Sequence, residues 1–346
     1  MILGHRDAFG FEQLIYHPAS GTYGTSIREL ISRGSLACGH VDTGAVAGYF
    51  SGMRLPGRTV LADFLAVPPR YALLTSPSGL TVAPRPMVSK AGDLESLLLA
   101  SLERVVKSNR PAAIALSGGL DSALLLAMLD TLGATHLPAY VLTTRLPGYD
   151  ELDAALETAR RSGVAVVVVE VSEADFVDAV PDAMRHLEEP LFNLHPMAKL
   201  LLARAMRRDG IELAISGDGA DQVLRRDTSA DYLPLCRTLF RAEGVELVPP
   251  FLDGDVVAHL QALPPDPEKT CLRVLGRRFG VSPALTDGPK RLRLAPPMNI
   301  DHLLPSPDIE ALAAQLGTAT PALTTDAERV QWATLRLLLA DLGVAA

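Results

Sequence analysis

The segment Pro111–Asp130, PAAIALSGGLDSALLLAMLD, constrains this chain more than any other. Ala112–Leu116 is an apolar run long enough for one buried strand, and Ala123–Leu129 is a run of strong helix formers. Between them stands Ser117-Gly118-Gly119-Leu120-Asp121-Ser122. A strand, a glycine turn and a helix start in that order aim backbone N–H groups at one point. The glycines let the backbone approach an anion with no Cβ in the way, and the helix N-terminus adds about half a positive charge. Ser117 and Ser122 add hydroxyl donors. Asp121 has the wrong sign for a phosphate site unless a cation stands between, so it implies Mg²⁺ bridging carboxylate and phosphates. No lysine follows the glycines, which separates this loop from GxxxxGK[ST].

A plain strand-to-helix turn with glycines for packing is the bland alternative, and such turns are common. The full string SGGLDS behind an apolar strand is much rarer. It resembles the pyrophosphate-binding loop of ATP pyrophosphatases, which cleave ATP between its α and β phosphates.

From Asp93 onward, helices and strands alternate. The spacing predicts helices over Leu94–Val106, Glu151–Ser162, Asp175–His186 and Met197–Arg208. Strands are expected at Ala139–Thr144, Val164–Val171 and Ile211–Ile215, the last ended by Ser216-Gly217-Asp218-Gly219-Ala220-Asp221. This alternation predicts an α/β fold with a doubly wound parallel sheet, whose ligands bind beyond the carboxyl ends of the strands. Both glycine-rich loops fall at such ends, so Asp121 and Asp221 are expected to share one metal and one nucleotide. Val164–Val169 is apolar on both faces and reads as a central strand.

Residues 1–90 read as a small α+β region. Two strands are expected within Leu14–Ile27 around a turn at Pro18–Gly21, then helices at Ile27–Ser32 and Val46–Met53. Weak strands follow at Thr59–Val67 and Tyr71–Thr75. After Tyr232 the pattern is mainly helical, closing with Val330–Leu342.

A length of 346 residues supports one large or two modest domains. The net charge of −8 argues against a nucleic-acid partner. Cys38, Cys236 and Cys271 are scattered, which supports neither a zinc site nor a disulfide framework and fits a reducing cytoplasm. The first residues lack a signal-peptide pattern, and Val164–Val169 is far too short to span a bilayer, so no membrane role is expected.

Several short strings, in order, resemble the synthetase domain of the asparagine synthetase family, whose relatives include β-lactam synthetase and lasso-peptide cyclase. SGGLDS is similar to the family's pyrophosphate loop, Pro147-Gly148-Tyr149-Asp150-Glu151 to its PEYDE, and His186-Leu187-Glu188-Glu189-Pro190 to its HLDEP. Ser216–Asp221 resembles SGEGAD, Pro249-Pro250-Phe251-Leu252-Asp253 resembles VPFLD, Lys269 and Arg273 resemble K-x-x-L-R, and Pro289-Lys290 resembles the end of RPK. Upstream, Gly4–Gly10 with Leu14 and Tyr16 is similar to a string midway through the family's N-terminal glutaminase domain. The resemblance therefore implies a truncated glutaminase-like region over 1–90 and an ATP-binding synthetase domain over 91–346. The family's catalytic N-terminal cysteine falls at residue 2, which is Ile2, so glutamine hydrolysis is expected to be absent.

The resemblance implies that a carboxylate is adenylated by ATP with release of pyrophosphate, then passed to an amine or ammonia. Leu116, Ser117, Gly118, Gly119, Asp121, Ser122, Leu142, Ser216 and Gly217 are the expected nucleotide-binding residues, with Mg²⁺ on Asp121 and Asp221. Lys290 is the expected stabiliser of developing charge, and Asp218 and Glu189 are further expected catalytic residues. Asp218 stands where the family carries the longer Glu. Gln222 replaces the Glu after Asp221, and Val223-Leu224-Arg225-Arg226 replaces Phe-Gly-Gly-Tyr. These departures fall on the acceptor side and point to specialised metabolite or peptide biosynthesis, with a small-molecule or peptide carboxylate and an amine donor as substrates. Two alternatives stay open: a degenerate nucleotide-binding partner of an active synthetase, and a tRNA-modifying ATP pyrophosphatase. A homodimer or a complex with another protein is expected.

Overall fold

The computed structural model describes residues 1–34, 36–52, 55–86, 92–145, 151–226, 232–288 and 298–344. In chain order its strands are β1 (Ile2–His5), β2 (Ile15–His17), β3 (Thr22–Gly24), β4 (Leu65–Ala66), β5 (Tyr71–Ser76), β6 (Gly79–Pro84), β7 (Ala112–Ala115), β8 (Ala139–Thr143), β9 (Val166–Glu170), β10 (Leu213–Ser216) and β11 (Glu246–Val248). Its helices are α1 (Ile27–Gly34), α2 (Thr43–Phe50), α3 (Leu94–Lys107), α4 (Leu120–Thr131), α5 (Leu152–Arg161), α6 (Glu173–Met184), α7 (His195–Arg208), α8 (Ala220–Arg225), α9 (Tyr232–Ala242), α10 (Gly254–Ala262), α11 (Thr270–Arg278), α12 (Pro283–Thr286), α13 (Ser306–Leu316) and α14 (Asp326–Asp341).

Packing divides the chain into two units. The first comprises residues 1–86, 174–197 and 297–346; the second comprises 87–173 and 198–296. This differs from a single cut at residue 90, because the segment around the HLEEP string and the C-terminal helices pack with the N-terminal residues.

The first unit carries two antiparallel sheets, ordered β1-β5-β6 and β3-β2-β4. Arg6 explains the string that begins at Gly4. Its guanidinium is buried and donates to the carbonyls of Glu12, Val67 and Gly10 at 2.8, 2.9 and 3.0 Å, while Asp7 accepts from the N–H groups of Phe9 and Glu12. The helix expected at Val46–Met53 starts at Thr43, because Asp42 caps it by accepting from Ala45 N at 2.8 Å. The strand expected over Thr59–Val67 shrinks to Leu65–Ala66. Thr59 Oγ1 donates to the carbonyls of Leu61 and Phe64 and holds that stretch as a turn.

The second unit is built on a five-stranded sheet in the order β11-β10-β7-β8-β9, with every pairing parallel. The chain runs outward from β7 through β8 to β9, then returns to β10 and β11 on the other side of β7. This is the doubly wound arrangement expected from the alternation of elements. Ala113 and Ile114 of β7 are fully buried, and α4 covers them with a nearly continuous apolar surface (Leu124, Leu125 and Met128 have no exposure). Each such leucine contributes roughly 1.5–3 kcal/mol through burial.

One strand stands elsewhere than its composition implies. Val164–Val169 reads as central, yet β9 is at the edge of the described sheet, and Val168 is 41% exposed. β-Branched runs satisfy the pleat at an edge as well as at the centre, so composition alone cannot rank them. The structure adds β1, β6 and β11; β11 is only three residues long, and β6 starts at Gly79, directly after the Ser76–Ser78 turn.

Candidate active site

The strand order reverses between β7 and β10, and their carboxyl ends lie level, with Ser216 paired in register with Ala115. In doubly wound sheets the crevice beyond such a reversal is where ligands bind. The two glycine-rich loops leave from these two strand ends and meet there. A Cβ built on Gly217 would lie 2.9 Å from Asp121 Cβ and 3.0 Å from Ser122 N, so only glycine lets the second loop rest on the first.

The first loop is braced by its own serines. Ser117 N donates to Ser122 Oγ at 3.1 Å, Ser122 Oγ donates to the Ser117 carbonyl at 3.2 Å, and Gly119 N donates to Ser117 Oγ at 3.2 Å. α4 begins at Leu120, earlier than the leucine run alone implies, with Gly119 as an N-cap that offers no capping side chain. The backbone of Gly118 is in close approach to the start of α5: a Cβ there would lie 2.6 Å from Glu151 Cβ. Leu116, buried, ties the loop to β8 by donating its N–H to the Tyr140 carbonyl at 2.9 Å. Leu142 lies on β8 opposite Val169.

Asp121 and Asp221 do converge. Both reach the ammonium of Lys269, Asp121 Oδ2 at 2.5 Å and Asp221 Oδ2 at 3.2 Å. Lys269 is buried and precedes α11, which packs on α4, the helix that carries Asp121. Its φ of +57° is left-handed, a conformation that costs a non-glycine residue about 1 kcal/mol or more and gathers at functional sites. Asp266 holds that turn: its carbonyl accepts Lys269 N at 3.0 Å and its carboxylate accepts Cys271 N at 2.9 Å. Arg225 Nε stands 3.6 Å from Asp221 Oδ1.

Two carboxylates aimed at one cation suit Mg²⁺, a hard ion that takes one or two carboxylates and fills its octahedron with substrate phosphates and water. Among the described residues no group of three or more His, Cys, Asp or Glu side chains could hold a metal ion. A divalent ion at Asp121 and Asp221 would therefore fill the rest of its shell with phosphate oxygens and water.

The other expected residues are placed as follows. Asp218 has partners other than those of Asp221: Lys199 Nζ donates to both its oxygens, at 2.9 and 2.7 Å, and Ser216 Oγ donates to Oδ2 at 2.9 Å. Glu189 belongs to the first unit, where it is buried and its Oε2 accepts from Tyr49 Oη at 2.8 Å. Its neighbour Glu188 accepts from Ile27 N and Arg28 N at 2.6 and 3.1 Å and so caps α1; burial pushes its carboxyl above the usual range, against the opposing hydrogen bonds and the charge of Arg28. Asp253 caps α10 and pairs with Arg104. Lys290 and residues 147–150 lie outside the described residues. Arg273 donates to the carbonyls of Thr286 and Gly288 at 2.8 and 2.9 Å and anchors the chain just ahead of that lysine's segment.

Lys269 and Lys199 were not among the expected site residues. Lys269 stands in a recognised string, but its partners are remote in sequence. Lys199 is one lysine on a helix, with no local sign of its partner.

Comparison with known proteins agrees with the loop geometry. Residues 93–225 match the asparagine synthase family, and this part of the chain is an asparagine synthetase-family synthetase domain. The amidase chyE of Penicillium rubens is 32% identical over 139 residues, 36% of this chain and 21% of that protein. A putative glutamine-hydrolysing asparagine synthetase of Mycobacterium tuberculosis H37Rv is 27% identical over 154 residues, 41% of this chain and 23% of that protein. The matched stretch thus spans between a fifth and a quarter of these relatives' length. Among solved structures, the NMN synthetase of Francisella tularensis is similar with a TM-score of 0.35 and 15% identity, covering 72% of this chain and 92% of that one. Among the described residues no helix is long and apolar enough to cross a membrane.

Proposed function

We propose that this chain, with its asparagine synthetase-family domain at residues 93–225, is an ATP-dependent amide-forming ligase. A carboxylate oxygen of the acceptor attacks the α-phosphorus of ATP, the α–β bridging bond breaks, and pyrophosphate leaves. An amine or ammonia then attacks the acyl carbon of the adenylate, loses a proton, and expels AMP. The observation that carries this reading is the convergence of Asp121, Asp221 and Lys269 beside the SGGLDS turn, at the reversal of strand order.

In this reading the N–H groups at the start of α4 hold the β and γ phosphates, while the Ser117 and Ser122 hydroxyls brace the loop that presents them. Leu116, Leu142, Ser216 and Gly217 line the nucleotide. Bound at Asp121 and Asp221, Mg²⁺ would supply neutralisation of charge on the departing pyrophosphate. Lys269 is available to the same phosphates. Lys290 is proposed, on resemblance alone, to steady charge at the reacting centre, and Glu189 to contact the acceptor.

The nitrogen is proposed to come from ammonia or an amine. Thiol chemistry on glutamine needs an activated thiolate, and Cys236 and Cys271 do not favour one. Cys38 Sγ donates to the Leu342 carbonyl at 2.7 Å. Burial pushes the Cys236 thiol up and raises Cys271 to about 12. The altered residues from Gln222 to Arg226 support an acceptor from specialised metabolism, and light scattering on the full chain tests the expected dimer or complex.

The test is ATP–pyrophosphate exchange with Mg²⁺ over a panel of amino-acid and peptide carboxylates, wild type beside Asp121→Ala. Exchange dependent on one carboxylate, falling at least about 100-fold in the variant, is the expected outcome for loss of a charge-neutralising ligand. The second reading, a nucleotide-binding partner without turnover, is favoured by Arg225, an extra cation beside Asp221. It predicts ATP binding with no exchange on any carboxylate.

A further inference from the structure

The turn that leaves β10 carries two carboxylates three residues apart, and each is met by a different lysine. Asp221 goes to Lys269, while Asp218 goes to Lys199 on α7. The Lys199–Asp218 pair is mostly enclosed, with 18% and 14% of the side chains exposed. Lys199 donates to both carboxylate oxygens, and Ser216 Oγ adds a third hydrogen bond on Oδ2. Cys236 of α9 also feels the pair: burial dominates in raising its thiol, Asp218 raises it further, and Lys199 opposes.

A carboxylate so engaged is poorly placed to take a proton from an incoming amine, since a general base needs an open lone pair within hydrogen-bond reach of that proton. What the pair does hold is Ser216. That residue ends β10, sits in register with Ala115, and passes directly into Gly217, whose backbone rests on Asp121 and Ser122. The chain of contact is therefore Lys199 to Asp218, Asp218 to Ser216, and the Ser216–Gly217 turn to the first glycine loop.

We propose that Lys199 is a positioning residue, which fixes Asp218 as a paired carboxylate so that Asp218 locks the Ser216–Gly217 turn against Asp121–Ser122 and shapes the nucleotide site, with no part in proton transfer. The inference rests on the reading of that crevice as an ATP site.

The experiment compares wild type, Lys199→Met, Asp218→Asn and the double variant in the full chain. It measures the affinity for Mg²⁺ with α,β-methylene-ATP by calorimetry, thermal unfolding, and both pyrophosphate exchange and amide formation. Without the Lys199 ammonium, Asp218 is no longer fixed on Ser216 and the Ser216–Gly217 turn is freed, so Lys199→Met is expected to weaken nucleotide binding by at least about tenfold. The double variant removes the uncompensated charge but not the lost lock, so it is expected to regain thermal stability over Lys199→Met while nucleotide binding stays weakened by at least about tenfold. Binding and exchange unchanged in both single variants, with only amide formation lost in Asp218→Asn and in the double variant, would overturn the proposal in favour of a general base. Lowered thermal stability with unchanged affinity would overturn it in favour of a purely structural pair. A wild type that binds the analogue but exchanges with no carboxylate would fail the ligase reading alone, and the affinities would still decide the role of the pair.

Discussion

A lysine ammonium 2.5 and 3.2 Å from two carboxylates balances their charge as a metal ion would, and both cannot occupy the same point. Lys269→Met should therefore leave Asp121 and Asp221 mutually repelling and open to a divalent cation. The expected outcome is a larger rise in melting temperature on adding Mg²⁺ without nucleotide than wild type shows, since binding at 100 times Kd stabilises by about 2.7 kcal/mol. Equal shifts in wild type and variant would mean that the ammonium and the ion do not compete. This residue also marks what is legible in a sequence. Ser117–Ser122 can be read because strand, turn, donors and helix are consecutive. Lys269 cannot, because its meaning lies in Asp121, 148 residues away. Asp218 illustrates the same limit: its type and position suggest acid–base work, while its partners, Lys199 and Ser216, give it a different setting.

Elements were legible where an apolar run adjoins a glycine turn, as at β7 and β10, and less so where only propensity speaks. The four valines of β9 satisfy a strand anywhere in a sheet, so their place at the edge follows from topology. The edge placement predicts that Val168→Lys changes stability by no more than about 0.5 kcal/mol in urea unfolding, as exposed substitutions do. Ile114→Ala in β7 should cost about 2–5 kcal/mol. Comparable losses at both sites would remove the distinction between edge and centre. Glu188 makes α1 pH-sensitive. Burial raises its carboxyl above the usual range, so the folded state keeps that proton to higher pH than the unfolded chain does. Stability from this group is complete below the ordinary glutamate range and is lost as pH rises through the raised value. The stability of wild type minus that of Glu188→Gln should therefore fall over that window, in urea titrations run from about pH 4 to 8. A flat or rising difference would count against a raised Glu188.

At the scale of the whole chain, the parallel sheet was readable because strands and helices alternate visibly between residues 93 and 225, the stretch that also matches the family. The partition into units was not, since it joins segments that are far apart in sequence, 1–86 with 174–197 and 297–346. That partition separates the expected site residues by unit: Asp121, Asp218 and Asp221 fall in the second, Glu189 in the first. Amide hydrogen exchange with and without Mg²⁺ and α,β-methylene-ATP turns this into a measurement, because ligand binding protects the segments whose opening it opposes. Protection is expected at 116–122, 216–225 and 269–273, the segments that build the Asp121–Asp221–Lys269 cluster and its two loops. Protection that extends to 187–192 on adding nucleotide alone would give Glu189 a part in nucleotide binding. Protection there only when carboxylate acceptor is added as well would assign it to the acceptor, as proposed. No change at 187–192 under either condition would leave Glu189 to the role its geometry already explains, a buried partner of Tyr49.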